Sequence, residues 1–321
     1  MRRRLFRSIR RFLRACYQFC TESRNMPSAR LLWRPLVPWT RRASMVGARR
    51  ECSSSAMRSA SPPLLIEDDL VDGAPTGVKV LTLNAPAKLN PMSVQLGEAL
   101  SAAVGTLSDD PTLRAVLLTG AGRAFSAGGE LSFLRERQED GPEENAQQMR
   151  EFYASYLSIR KLPVPLIAVI NGPAVGAGLA LALAADVRFT CDAAKFSFNF
   201  VGLGLHPGMG STHQLAAIAG TQVASAMLLS AETINGAEAQ RRGIVLRSLP
   251  DAPAARAEAF DLARRIAAQG AGAVRATVRT LRVAADEGLE RALQREADAQ
   301  AHSYATEEYA QRLQAVLSRH Q

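Results

Sequence analysis

The chain has 321 residues, 47% of them hydrophobic, which is enough apolar material for one large core. No uninterrupted apolar run approaches the ~18–20 residues of a membrane-spanning helix, which argues against a transmembrane span. The net charge of +9 is unevenly held: residues 1–58 carry 15 arginines against two glutamates, net +13, while the remainder carries 24 basic and 28 acidic residues, net −4.

Residues 1–19, MRRRLFRSIRRFLRACYQF, interleave arginine with Leu, Phe and Ile at helical spacing and contain no acid. That basic amphipathic pattern predicts a mitochondrial transit peptide and a matrix location, with a leader over residues 1–57. The alternative is a basic tail, or sequence upstream of a later start at Met26, Met45 or Met57. Three of the four cysteines (Cys16, Cys20, Cys52) lie in this leader, so the body has only Cys191 and no disulfide framework or thiolate metal site. The four histidines show no metal-ligand spacing. No metal is expected.

The body is expected to begin near Leu64. A strand over 78–83 precedes a turn at Pro86, and a helix over 93–107 follows. AVLLT (115–119) and LIAVI (166–170) are short apolar runs that predict buried strands, each opening into a glycine-rich segment. Between them, charged residues 135–145 with Gly141 and Pro142 predict an exposed loop, followed by a helix to about Lys161 that Pro163 and Pro165 break. FSFNF (196–200) alternates at period two and predicts a strand. Helices are expected over 213–219, 222–229, 237–242, 254–268, 274–285 and 289–304.

The two glycine-rich segments, AGRAFSAGGEL (121–131) and NGPAVGAGLALALAADVRF (171–189), carry the chemistry. Glycine lets a ligand approach the backbone, and the first N–H groups of a helix lack intrahelical acceptors. Two such loops facing each other present two donors to one carbonyl oxygen, the geometry of an oxyanion hole. In order with APAKLNPMS (85–93), LGLHPGMGSTHQL (203–215) and INGAEAQRRGIVLRSLP (234–250), they resemble the crotonase, or enoyl-CoA hydratase/isomerase, superfamily from about Val78 onward.

The resemblance implies an α/β fold, with a crotonase-like ββα spiral core over 64–250 and a C-terminal helical trimerisation region over 251–321. It implies a homotrimer or a dimer of trimers that acts on acyl-CoA thioesters. CoA enters as part of the substrate, and no cofactor is held permanently. By the same resemblance the oxyanion donors are the N–H groups of Ala127 and Ala177. Lys88 and Leu89 contact CoA, and Ala127, Gly128, Gly129, Glu130 and Leu131 border the adenine pocket. Glu130 is expected mainly to cap a helix start.

The departures from the family pattern bear on activity. Hydratases of this family position water with two glutamates, and those positions here hold Ala180 and Phe200. The further carboxylate of dienoyl-CoA isomerases falls at Gly208. Each absent acid or base removes roughly 10²–10⁴-fold. His206 is the candidate replacement, bordering the acyl pocket with a side chain suited to proton transfer near neutral pH. His213 reads as a packing residue, and Asp186 as an anchor of a helix–strand joint. Two readings remain open: an enzyme working through an oxyanion-stabilised enolate, or a CoA-thioester-binding protein of the same fold with little or no catalysis. RNA binding needs a concentrated basic patch on the body. The arginines of 241–247 and 274–282 are read as solvated helix faces, so no nucleic-acid partner is expected.

Overall fold

The computed structural model describes residues 61–318 except residue 287. The expected leader lies outside the described residues. Among the described residues, nine strands form two sheets. Six of them, β1 (Leu64–Val71), β2 (Ala74–Leu83), β3 (Ala115–Gly120), β4 (Leu166–Ile170), β6 (Val187–Cys191) and β9 (Arg247–Leu249), make one sheet in that order. Within this sheet the β1–β2 pair is antiparallel and the other pairs are parallel. The small second sheet holds β5 (Ala174–Val175), β7 (Lys195–Ser197) and β8 (Thr233–Asn235).

Parallel strands covered on both faces need apolar side chains at nearly every position. β3 and β4 meet that demand and are buried throughout. Val78 and Val80 of β2, Ala115 and Leu117 of β3, and Ile167 and Val169 of β4 face one side, where they pack with Ala255, Ala259 and Ala263. Those alanines recur every four residues on helix Ala252–Ala267, so that small side chains let this helix lie close on the sheet. The alternate residues, Leu81, Val116, Leu118, Leu166, Ala168 and Ile170, face the main core. Asp251 starts the alanine helix by accepting the Ala254 N–H at 2.8 Å.

We number the helices in chain order. On the core side lie α1 (Val94–Ser108), α2 (Leu131–Glu136), α3 (Pro142–Leu157), α4 (Ala177–Leu183) and α5 (Ser211–Ser230). Then follow α6 (Gly236–Arg241), the sheet-covering α7 (Ala252–Ala267), α8 (Ala271–Asp286), α9 (Leu289–Tyr304) and α10 (Glu307–Leu317). Ser93 caps α1 by accepting the Leu96 N–H at 3.2 Å. α5 holds the two expected helices as one element broken at Gly220, whose φ of 81° is not helical.

Three expectations need correction. The strand at 196–200 ends at Ser197, and Phe198–Phe200 turn away to line the interior. The segment 135–145 is mostly exposed as expected, but the loop is shorter, since α2 ends and α3 begins within it, and Arg137 is buried against Asp140 (3.0 Å) and the Phe133 ring. Arg282 of α8 is buried and not solvated. Its guanidinium holds the Asp186 carboxylate and donates to the carbonyls of Arg160, Leu162 and Val164. The C-terminal helical region is present as expected: α9 packs on α3, and α10 brings Leu313 and Val316 to the interior.

Candidate active site

Three polar side chains brace the loops that follow β2, β3 and β4. Asn90 accepts the Ala85 N–H at 2.8 Å and donates to the carbonyls of Ala121 and Ala124, each at 2.9 Å. Asn171 accepts the Gly120 N–H at 3.2 Å and donates to the carbonyls of Gly120 and Gly122 at 2.9 and 3.0 Å. Ser126 donates to the Asn90 carbonyl at 2.7 Å. The backbones of the two glycine-rich loops also pair, through Phe125 and Ser126 to the Pro173 carbonyl and Val175 to the Ser126 carbonyl. At Gly128 the φ of 91° and a space only 2.7 Å from the Val175 oxygen exclude any side chain. The same point lies 3.7 Å from the Ala177 nitrogen, so the two loops meet there.

They meet at a cavity of about 860 Å³. Lys88, Leu89, Ala127, Gly128, Gly129, Glu130, Leu131 and Ala177 all line it, so eight of the nine residues expected at the site are brought together. Ala177 is the first residue of α4, and its N–H has no acceptor among the described residues. The Ala127 N–H differs from expectation: it donates to the Leu89 carbonyl at 2.9 Å. Leu89 adopts a left-handed φ of 62°, which turns that carbonyl toward the first loop.

The rim is charged. Lys88 is exposed, with its Nζ 3.6 Å from the Glu130 carboxylate. Glu130 precedes α2 but makes no capping hydrogen bond with its side chain, which corrects the capping expectation. Arg123 is exposed on the same rim, a cation the sequence reading passed over within GRAFSAGG.

The inner end is apolar and walled by residues such as Phe133, Phe152, Phe200, Met209 and Leu313. Polar side chains interrupt it, among them Tyr153 of α3 and Gln300 of α9, hydrogen-bonded at 2.7 Å. Burial pushes the Tyr153 hydroxyl well above the usual phenol range, so it stays neutral. Among the described residues, Glu130 on the rim is the one carboxylate lining the cavity.

His206 is not brought to the cavity. Its backbone N–H donates to the Ser303 hydroxyl at 3.1 Å, its carbonyl accepts from Gln300, and its ring Nδ1 donates to the Pro207 carbonyl at 2.7 Å. With both backbone groups tied to α9, the neighbours Leu205, Gly208 and Met209 face the cavity instead. Ala180 is fully buried in the core and does not line the cavity, whereas Phe200 and Gly208 do. Asp186 anchors the joint between α4 and β6 as expected, accepting the Leu166 N–H at 2.7 Å. Glu296 lies behind this wall, accepting the N–H groups of Gly210 and Thr212 at the start of α5. Burial raises its pKa despite those bonds.

Among the described residues no cluster of His, Cys, Asp or Glu could hold a metal ion, and no helix is long and apolar enough to cross a membrane. Residues 73–321 match the enoyl-CoA hydratase/isomerase family profile. A "Probable enoyl-CoA hydratase" of Mycobacterium tuberculosis is 38% identical over 248 residues, covering 75% of this chain and 94% of that protein. A crotonyl-CoA hydratase of Syntrophomonas wolfei is 32% identical over 249 residues, covering 75% and 91%. The crystal structure of an enoyl-CoA hydratase/isomerase from Mycobacterium paratuberculosis superposes with a TM-score of 0.70 at 26% identity, over 80% of this chain and 99% of that one.

Proposed function

The chain belongs to the enoyl-CoA hydratase/isomerase family, and from that premise we propose that it is an acyl-CoA thioester enzyme. Its cavity holds the thioester carbonyl where the two glycine-rich loops meet and stabilises an enolate oxygen there. The observation that carries this is the open N–H of Ala177 beside Gly128, at the junction of a charged rim and an apolar interior. Backbone donors set in place before the reaction stabilise developing charge at low reorganisation cost, worth several kcal/mol in the transition state. The second donor, the Ala127 N–H, must share its bond to the Leu89 carbonyl with the substrate or leave it. The Lys88 and Arg123 cations suit the phosphates of CoA, and the inner end suits an acyl chain.

Water activation by paired glutamates is not part of this proposal. Ala180 offers no acid and Phe200 supplies an aromatic wall, so the two positions contribute no group that could activate water. Titration of the protein with CoA and crotonyl-CoA tests the proposal. Tighter binding of the thioester than of CoA alone supports it, and absence of binding by both refutes it. Binding with no turnover of any enoyl- or dienoyl-CoA favours the non-catalytic reading. A trimer remains part of the family expectation, for which an oligomer measurement in solution is the test. For the leader, we propose mitochondrial import, motivated by its net +13 over residues 1–58. A fluorescent fusion to residues 1–57 should enter mitochondria, and cytosolic fluorescence would overturn the assignment.

A further inference from the structure

The far end of α4, away from Ala177, carries a charge cluster that the proposed oxyanion chemistry does not use. The helix is buried along its whole length and tightens as it ends, the Ala184 and Ala185 N–H groups donating to the carbonyls of Leu181 and Ala182 at 3.1 and 3.3 Å. The next three carbonyls, those of Leu183, Ala184 and Ala185, lie past the last helical donor. Arginine side chains answer all three. Arg188 of β6 donates to Leu183 and Ala185, and Arg160, ahead of β4, donates to Ala184 at 3.0 Å. Arg282 of α8 reaches the same corner through Asp186, at 2.8 Å.

The balance of charge there is positive. Asp186 pairs with Arg282, and Asp286 pairs with Arg160. Arg188 makes no salt bridge among the described residues, and its Nε donates to the Ile244 carbonyl at 2.7 Å. Three guanidinium groups thus meet two carboxylates, and one positive charge is left over. Burial lowers the Arg188 pKa to about 10 against the opposing pull of Asp186, so the group is charged at neutral pH.

That charge stands close enough to be felt at Ala177. At about 1.5 Å per residue, α4 sets the Arg188 guanidinium on the order of 12 Å from the Ala177 N–H. The helix between them is buried, so protein and not water fills the gap. At that range, with an effective dielectric of about 20, a unit charge shifts the formation of an opposite charge about tenfold.

We infer that Arg188 is a positioning residue for the oxyanion: it holds the last carbonyls of α4 and sets one unbalanced positive charge behind the Ala177 donor, which favours an enolate over the neutral thioester. This rests on the enolate reading of the cavity. Arg188 does not line the cavity, and no proton transfer is assigned to it.

Acetoacetyl-CoA tests the inference on the full-length protein. Loss of its C2 proton to buffer gives an enolate that absorbs in the ultraviolet, so a pH titration of the bound thioester reads its enolisation pKa. Bound to wild type, that pKa should fall below the value for the free thioester. Arg188→Gln should raise the bound value by roughly half a unit to one unit, a threefold to tenfold loss of enolate. Arg188→Lys keeps the charge and should stay within about twofold of wild type, with CoA affinity unchanged in both variants. Wild-type enolisation in Arg188→Gln would overturn the inference. So would an equal loss in Arg188→Lys, which would reduce the role to hydrogen bonding. Thermal unfolding checks each variant. Should Arg188→Gln not fold, Asp286→Asn decides, because removing the partly exposed partner of Arg160 adds positive charge at the same corner. Roughly twofold more enolate then supports the inference, and no change or a loss overturns it. A wild-type protein that binds no acetoacetyl-CoA overturns the acyl-CoA reading itself, whereas binding without any gain of enolate overturns the oxyanion step, so the failures are distinguished.

Discussion

Lys88 stands at 73% side-chain exposure with only the Glu130 carboxylate near it, at 3.6 Å. An exposed pair at that separation contributes little to stability. Lys88 is therefore free to serve a ligand, and Lys88→Ala should leave thermal stability unchanged while weakening CoA itself by about threefold to tenfold. Titration with CoA and with a short acyl-CoA measures this. Equal losses for both place the contact on the nucleotide, and an unchanged CoA affinity returns Lys88 to a turn residue. Lys88, the first-loop residues and Ala177 were reached through the family resemblance of their local motifs, and they do line one cavity. His206 does not, because the direction of a ring depends on hydrogen bonds to Ser303 and Gln300, almost a hundred residues away. Tyr153 and Gln300 were missed for the same reason: their bond spans 147 residues, and neither sits in a motif.

At the level of elements, burial on both faces made β3 and β4 readable, since the demand for apolar residues leaves no alternation to misjudge. β1 escaped notice because Glu67, Asp68 and Asp69 interrupt its apolar pattern. Its place at the sheet edge accommodates them: Lys79 pairs with Asp68, and Arg264 of α7 makes a two-pronged contact with Asp69 at 2.6 and 2.8 Å. The Arg264 hydrogen bonds hold the Asp69 pKa below its ordinary value of 3.8 against the opposing effect of burial. A carboxylate whose pKa is depressed by folding contributes stability that is present above the unfolded value and lost as pH falls through the folded one. Arg264 is partly exposed, so solvent screening limits the contribution to roughly 1 kcal/mol. Urea unfolding of wild type and Asp69→Asn should show that gap at pH 7 and a smaller one at about pH 3, below the ordinary value of 3.8. A gap of equal size at both pH values would contradict the assignment. The same lesson applies to Arg282, whose sequence context reads as a solvated helix face. Only tertiary packing brings the Asp186 carboxylate and three carbonyls to it.

Taken whole, the chain places its strand–loop–helix units so that two loops meet, then folds α9 and α10 back to finish the acyl end of the cavity. The sequence carried the parts and their order, while the closure by the C-terminal helices depended on long-range contacts between α3 and α9. A rim with two cations, an open N–H at Ala177 and an interior without a carboxylate together define the central claim. That claim is our proposal that the site binds and polarises an acyl-CoA thioester without the groups that add water. The most direct measurement is the rate of crotonyl-CoA hydration by the purified protein beside a glutamate-bearing relative at the same enzyme concentration. With two acid/base groups absent, each worth roughly 10²–10⁴-fold, the rate should be about 10⁴-fold lower or less still, with crotonyl-CoA binding intact. Hydration at a rate matching the relative would contradict the account and point to Glu130, the rim carboxylate, as a group that reaches the substrate.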